Sequence, residues 1–124
     1  MNDEKSPFQA LEKLFHEPNR LAIMSSLCAA DHGLTFSQLK DECALTDGNL
    51  NRHLKVLRES RAIRIEKKFV DDKPRTTIFI TDAGLDRFSD YLEALADIMK
   101  QTRATLPARS KTAAKPLLAK RLAT

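Results

Sequence analysis

Between Leu34 and Ile80 the apolar spacing switches from a helical period to a two-residue period, and capping and turn residues punctuate the switch. Leu34-Thr35-Phe36 is a short apolar run. Thr35 stands three residues before Gln38, a Thr-x-x-Gln capping box, and Phe36, Leu39 and Cys43 form the stripe of a helix over Ser37–Ala44. Ala44-Leu45-Thr46 reads as a tight turn, with Leu45 as its apolar anchor. Thr46 caps a second helix over Asp47–Arg61, in which Leu50, Leu54 and Leu57 share one face. Ile63, Ile65 and Phe69 then alternate with Arg64, Glu66 and Lys68, which predicts a half-buried strand over Ala62–Val70. Asp71-Asp72-Lys73-Pro74 is the expected hairpin turn, and Thr76, Ile78 and Ile80 alternate on a return strand over Arg75–Ile80.

Helix, turn, helix and two-stranded ribbon, in that order, predict a winged helix-turn-helix. The flanking segments fit around it. Phe8, Leu11, Leu14 and Phe15 recur at helical spacing and predict a short first helix over residues 8–15. His16-Glu17-Pro18 interrupts it, and Pro18 suits the first turn of the next helix. Leu21, Met24 and Cys28 line one face of that helix, with Ile23 and Leu27 beside them. Asp31-His32-Gly33 is expected to end it, Gly33 serving as a left-handed cap. Thr81 caps a last helix with Asp82 at its positive end. Along it Leu85, Phe88, Leu92, Leu95 and Met99 step by 3, 4, 3 and 4, an a/d seam. A helix this long has little of a small domain left to cover, so the seam is read as a homodimer contact, joined by Phe8, Leu11 and Phe15. The expected fold is mainly α with a small β-hairpin wing, dimeric through its terminal helices and spanning residues 1–102.

At 124 residues the chain accommodates one domain and a tail. Met1 to Pro7 is polar and mixed in charge, unlike a signal peptide, and no apolar run reaches the roughly 20 residues a membrane span needs. A cytoplasmic protein without a membrane partner is expected. Cys28 and Cys43 lie on apolar helical faces and read as reduced, buried thiols. His16, His32 and His53 fall at no metal-ligand spacing, so neither a metal site nor a cofactor is expected. The formal net charge of +4 is uneven. Residues 103–124 carry Arg103, Arg109, Lys111, Lys115, Lys120 and Arg121 and no acid, leaving 15 basic against 17 acidic residues in the rest. Nucleic-acid binding by the core must therefore come from local placement of charge. The tail is expected to be disordered and to add non-specific affinity for phosphates.

On the helix over Asp47–Arg61, Gly48, Asn51, Arg52, Lys55 and Glu59 cluster opposite the leucine stripe. A major-groove reader needs short polar groups near the helix start and cations for phosphates. Thr46, Asp47, Asn49, Asn51 and Arg52 supply the former, Lys55 the latter, and Gly48 permits close backbone approach. Ser37 and Gln38 at the start of the preceding helix complete the helical part of the candidate DNA-binding set. Lys67, Lys68, Lys73 and Arg75 on the ribbon would lie along the backbone or probe the minor groove, with the acidic tip, Asp71 and Asp72, turned away. His53 at the edge of the stripe is read as packing or a phosphate contact, and His16 and His32 as solvated helix-end residues.

With these residues in hand, the chain resembles winged helix-turn-helix transcriptional regulators of the ArsR/MarR type, and more closely the small one-domain branch between those two families. The resemblance covers roughly residues 8–102. It is carried by Phe15-His16-Glu17-Pro18-Asn19-Arg20-Leu21, by Leu45-Thr46-Asp47-Gly48-Asn49-Leu50-Asn51-Arg52-His53-Leu54, by Lys73-Pro74-Arg75-Thr76-Thr77 and by Thr81-Asp82-Ala83-Gly84. It implies a homodimer, a recognition helix starting near Thr46, and repression or activation at a palindromic operator, with repression preferred. The paired cysteines of the ArsR metal signature are missing, and the acidic wing tip departs from a Gly- and Arg-rich one. The alternatives are an interaction module that keeps the fold without binding DNA, and a ligand- or redox-responsive switch. An enzyme is not expected: no phosphate loop or nucleophile–base pair is evident.

Overall fold

The computed structural model describes Ser6 and residues 8–107. In chain order the elements are α1 (Pro18–Cys28), β1 (Leu34–Thr35), α2 (Phe36–Cys43), α3 (Asp47–Glu59), β2 (Ile63–Val70), β3 (Lys73–Ile80) and α4 (Asp82–Thr105). The fold is a winged helix.

Each of the helices α2, α3 and α4 begins where its cap residue dictates. Thr35 accepts from the Gln38 amide at 3.1 Å while the Gln38 side chain accepts from the Thr35 amide at 2.9 Å, closing the capping box. Thr46 accepts from Asn49 N at 3.2 Å. Thr81 accepts from Gly84 N at 2.9 Å, and its hydroxyl reaches back to the Arg61 carbonyl at 2.7 Å, tying the start of α4 to the end of α3. Gly84 is obligatory there, because a Cβ would fall on the Ala62 carbonyl. Gly33 has a φ of 76°, and a side chain would collide with Phe79 and the Ile78 carbonyl.

The expected first helix is absent. Residues 8–15 form successive turns, with Gln9 and Ala10 amides bonding to Ser6 O and those of Phe15 and His16 to Glu12 O. The segment is too short to offset the cost of helix nucleation in isolation, and it is held by contacts of its side chains instead. Arg87 of α4 grips Glu12 bidentately, at 2.8 and 3.3 Å, and donates to Ser60 O at 2.8 Å. Helix α1 stops at Cys28, short of the expected Asp31-His32-Gly33 end.

The wing is a three-stranded antiparallel sheet in the order β1-β3-β2 rather than a two-stranded ribbon, since Leu34 pairs with Ile78 and Thr35 with Thr77. The turn is also tighter than expected. Val70 pairs with Lys73, leaving only Asp71 and Asp72 as loop, both with positive φ (53° and 63°). A two-residue loop of this kind matches the strand twist, and aspartate tolerates it better than most residues. Pro74 is admitted to β3 because β1 ends before reaching it, so β3 has a free edge there.

The core joins Phe15, Ile23, Met24, Leu27, Leu39, Leu50, Leu54, Leu57, Ala62, Ile63, Ile78, Phe88 and Tyr91. Phe15, Phe88 and Tyr91 form an aromatic cluster with centroids 5.3 to 5.9 Å apart. This corrects the expected dimer seam. Phe15 and Phe88 are buried inside the protomer, and Leu11 and Leu95 pack partly against the same core. Phe8, Leu85, Leu92 and Met99 stay exposed. Of the seam positions, Leu85, Leu92 and Met99 form an exposed stripe at seven-residue spacing. Phe69, expected to be half-buried, is 78% exposed, because β2 and β3 extend past the core beyond Ile65 and Ile78. Helix α4 runs three residues past Thr102, so Arg103 is helical; the part of the expected tail from Ala108 on lies outside the described residues.

Candidate nucleic-acid interface

Helix α3 has the two faces that its spacing dictates. Leu50, Leu54 and Leu57 are buried, while Gly48, Asn51, Arg52 and Lys55 are exposed. Arg52 donates from Nη2 to Asn49 Oδ1 at 3.1 Å, so two candidate readers one turn apart hold each other in place. Gly48 has open space where a Cβ would lie, which leaves the α3 backbone approachable. Asp47 is less free: its carboxylate pairs with Lys40 of α2 at 2.9 Å, which braces the helix-turn-helix corner. Both groups are largely exposed, so the brace contributes little energy. Thr46 and Gln38 are engaged as caps. Ser37 is exposed at the start of α2.

Asn51 and Lys55 open onto a cleft of about 360 Å³ between α3 and the wing, lined also by Phe36, Leu54, Arg58, Ile65, Lys67 and Thr76. Three cations, Lys55, Arg58 and Lys67, surround an apolar floor. Sequence reasoning missed Arg58, although its position seven residues after Asn51 places it on the same helical face. A second cleft of about 400 Å³, lined by Thr35, Phe36, Ser37, Pro74, Arg75 and Thr76, brings the start of α2 beside β3. Ser37 and Arg75, distant in sequence, meet there.

The wing separates its cations by face. Residues opposite each other in an antiparallel pair share a face, and neighbours along a strand alternate. Lys67 pairs with Thr76 and Phe69 with Pro74, on the side that carries Ile65 and Ile78. Lys68 pairs with Arg75 on the other side, and Lys73 with Val70. There Glu66 takes ion pairs from Lys68 and Arg64, both at 3.0 Å, which hold its carboxyl below the usual carboxylate range. Arg64 also lies 4.1 Å from the centre of the Phe79 ring. Of the predicted wing cations, Lys67 shares the α3 cleft, while Lys68 is tied to Glu66.

His53 is not a phosphate contact; it is buried beneath α3. Arg20 Nη1 lies 3.3 Å from its Nδ1, the Asn19 amide 3.4 Å from Nε2, and Glu17 Oε1 3.9 Å from Nδ1. Arg20 Nη1 and Asn19 Nδ2 are both donors, and a neutral imidazole has a single acceptor nitrogen, so His53 accepts from one of them at a time. Burial lowers its pKa below the ordinary histidine value, opposed by Glu17 and reinforced by Arg20 and Arg52. Arg20 Nε donates to Leu14 O at 2.7 Å, and Glu17 caps α1 through the Arg20 amide at 2.8 Å. His16 is exposed, as expected, and also hydrogen-bonds through Nδ1 to the Tyr91 hydroxyl at 2.9 Å. The stretch from Phe15 to Arg20 is thus a latch between α4, α1 and the buried side of α3.

Cys28 is exposed rather than buried, and Cys43 is half-buried with Sγ 3.9 Å from Ser26 Oγ. Burial raises the Cys43 thiol above its ordinary pKa, so little thiolate forms at neutral pH. Among the described residues, no group of three or more His, Cys, Asp or Glu is placed to hold a metal ion, and no helix is long and apolar enough to cross a membrane.

Residues 19–99 match the family described as winged helix DNA-binding domain, and the chain belongs to it. It is 32% identical over 88 residues to the uncharacterized protein MJ0432 of Methanocaldococcus jannaschii, an alignment spanning 71% of this chain and 95% of that protein. The structure of a transcriptional regulator homologue from Pyrococcus horikoshii OT3 is 29% identical and superposes with a TM-score of 0.72, covering 79% of this chain and 98% of that one. A MepR mutant of S. aureus, bound to an oligodeoxyribonucleotide, shares the fold at 18% identity and a TM-score of 0.61, over 94% of this chain and 85% of that one. Regulators of the MarR family stand among the other structural neighbours. Fold and family point to a transcriptional regulator.

Proposed function

We propose that the protein is a homodimeric, sequence-specific regulator of transcription that binds a palindromic operator in double-stranded DNA and acts there as a repressor. The observation that carries this reading is the polar outer face of α3. Asn51 and the Arg52–Asn49 pair are poised for base edges, while Lys55, Arg58 and Lys67 flank them for phosphates. An interaction module would expose apolar residues on that helix. The MepR complex with an oligodeoxyribonucleotide supports the same assignment for a shared fold. Dimerisation is supported by the exposed Leu85, Leu92 and Met99 on α4 and by exposed Phe8. Repression follows from occupancy: a dimer seated on a promoter excludes other proteins from it. The thiol and metal observations give no support to a redox or metal switch, and no effector is assigned. The test is selection of bound duplexes from a random pool with the full chain. The reading requires an enriched motif with two inverted half-sites whose centres are roughly 10 bp apart or somewhat more. A pool that never converges would contradict it.

A further inference from the structure

Phe69 differs from the exposed apolar residues along α4. Leu85, Leu92 and Met99 form a helical stripe, whereas Phe69 stands near the end of a hairpin, 78% exposed, largely uncovered by the described residues of its own chain. An uncovered aromatic on a strand is an aggregation liability unless a partner covers it. Its register supplies one. Phe69 faces Pro74 across the strand pair, on the side that carries Lys67 and Thr76. Those two residues line the cleft shared with Asn51, Lys55 and Arg58. The Phe69–Pro74 pair therefore continues the wall of the α3 cleft outward, about 7 Å further along the strand.

We propose that Phe69, backed by Pro74, is an apolar contact between the wing and the minor-groove wall of bound DNA, and that it sets a preference for sequence flanking the part read by α3. The proposal rests on the DNA-binding reading above. The walls of the minor groove are deoxyribose edges rich in C–H groups, bordered by phosphates. An apolar ring flanked by Lys67 on its own face and by Lys73 beside the turn matches that pattern. The acidic tip explains why the flank of the wing makes the contact. Asp71 and Asp72, both in the two-residue loop, would meet phosphates with like charge if the tip were driven in first. A second copy of the same wing is a poor occupant, because Lys67, Lys73 and Arg75 would repel their equivalents. Groove width varies with sequence, and a rigid ring packs well only against a wall at the right distance. The contact thus discriminates by shape, without a base hydrogen bond.

The salt dependence of binding separates this contact from an ionic one. Each phosphate neutralised by a cation contributes about 0.9 to the log–log salt slope, whereas an apolar contact contributes nothing. Fluorescence anisotropy with duplexes enriched from a random pool would compare the full wild-type chain, Phe69→Ala and Lys67→Ala across salt concentrations. Phe69→Ala should weaken binding about five- to tenfold, the equivalent of removing part of a phenylalanine's buried surface, with the slope unchanged. It should also lose the wild-type preference when A·T-rich flanks are replaced by G·C. Lys67→Ala should flatten the slope by about 0.9 for each phosphate it neutralises. Because Phe69 is exposed, thermal unfolding should be the same for Phe69→Ala and wild type, which removes misfolding as a cause. Wild-type affinity and flank preference in Phe69→Ala would overturn the proposal, as would a slope change matching that of Lys67→Ala. If the wild-type chain enriched no duplex at all, the DNA-binding reading itself would fall, a result distinguishable from both.

Discussion

Helices α3 and α4 are both amphipathic and both bury one face in the same core, yet their outer faces differ in kind. Around Leu50, Leu54 and Leu57, α3 turns Asn51, Arg52, Lys55 and Arg58 outward. Around Phe88, Tyr91 and Ala94, α4 turns Leu85, Leu92 and Met99 outward, at intervals of seven. The buried faces explain why the domain folds. The exposed faces identify what each helix meets. A polar, cationic face is at ease in water and gains when it neutralises phosphates. An apolar stripe gains only when another apolar surface covers it, at roughly 25 cal/mol for each Å² removed from water. In the proposed function one module thereby addresses two partners, DNA through α3 and a second copy through α4.

Breaking the α4 side should have the largest effect. Leu92→Lys combined with Met99→Lys places charges in the stripe without touching the core, and should convert dimers to monomers by sedimentation. Operator affinity should fall about a hundredfold or more, because each half-site must then be bound alone. A double variant that stays dimeric would show that the stripe is not the interface. On the α3 side, Lys55→Ala or Arg58→Ala should weaken binding to all duplexes alike, by about 1 kcal/mol, and flatten the salt slope by about 0.9 for each phosphate no longer neutralised. Unequal effects across sequences would instead make these residues base readers.

A smaller effect probes the latch that fixes α3 from beneath. The pKa of buried His53 lies below its ordinary value of 6.5. The unfolded chain therefore takes up a proton first as pH falls. The stability contributed by neutral His53 is full above about pH 6.5 and is lost as pH drops from there toward the lower folded value, at no more than about 1.4 kcal/mol per pH unit. Denaturant midpoints between pH 7.5 and 5 should fall for wild type and change less for His53→Gln. Parallel curves would exclude His53 as the source. The smallest effect concerns the corner between α2 and α3, where Ala44 holds a left-handed φ of 54°. Ala44→Gly should stabilise the domain by about 0.5–1 kcal/mol in chemical denaturation, and destabilisation would contradict the corner geometry.

The pattern of caps and periods made most of this fold legible. Thr35, Thr46 and Thr81 marked three helix starts because an N-cap is a local device, written within four residues. The alternation along β2 placed Ile63 and Ile65 on the buried side for the same reason. What was not legible depended on distant partners. Residues 8–15 have a helical period but are held as turns by Glu12 on Arg87 and Phe15 in the aromatic cluster, contacts some seventy residues away. The a/d seam failed at Phe88 because period alone does not say whether a ring is covered by its own chain. On the candidate interface, Asn51, Arg52 and Lys55 were readable from helical phase, while Arg58 was missed on that same phase. The ion pairing of Lys68 with Glu66 and the burial of His53 needed the three-dimensional arrangement.

The central claim is that the outer face of α3 reads bases, and comparison of the motifs selected by wild type and by Asn51→Ala tests it most directly. A bidentate side-chain contact to a base discriminates by about 1–3 kcal/mol. Wild type should enrich a palindrome, and Asn51→Ala should relax preference at one base pair in each half-site, symmetrically placed, while leaving the remaining positions intact. A variant motif identical to that of wild type at every position would contradict base reading by Asn51.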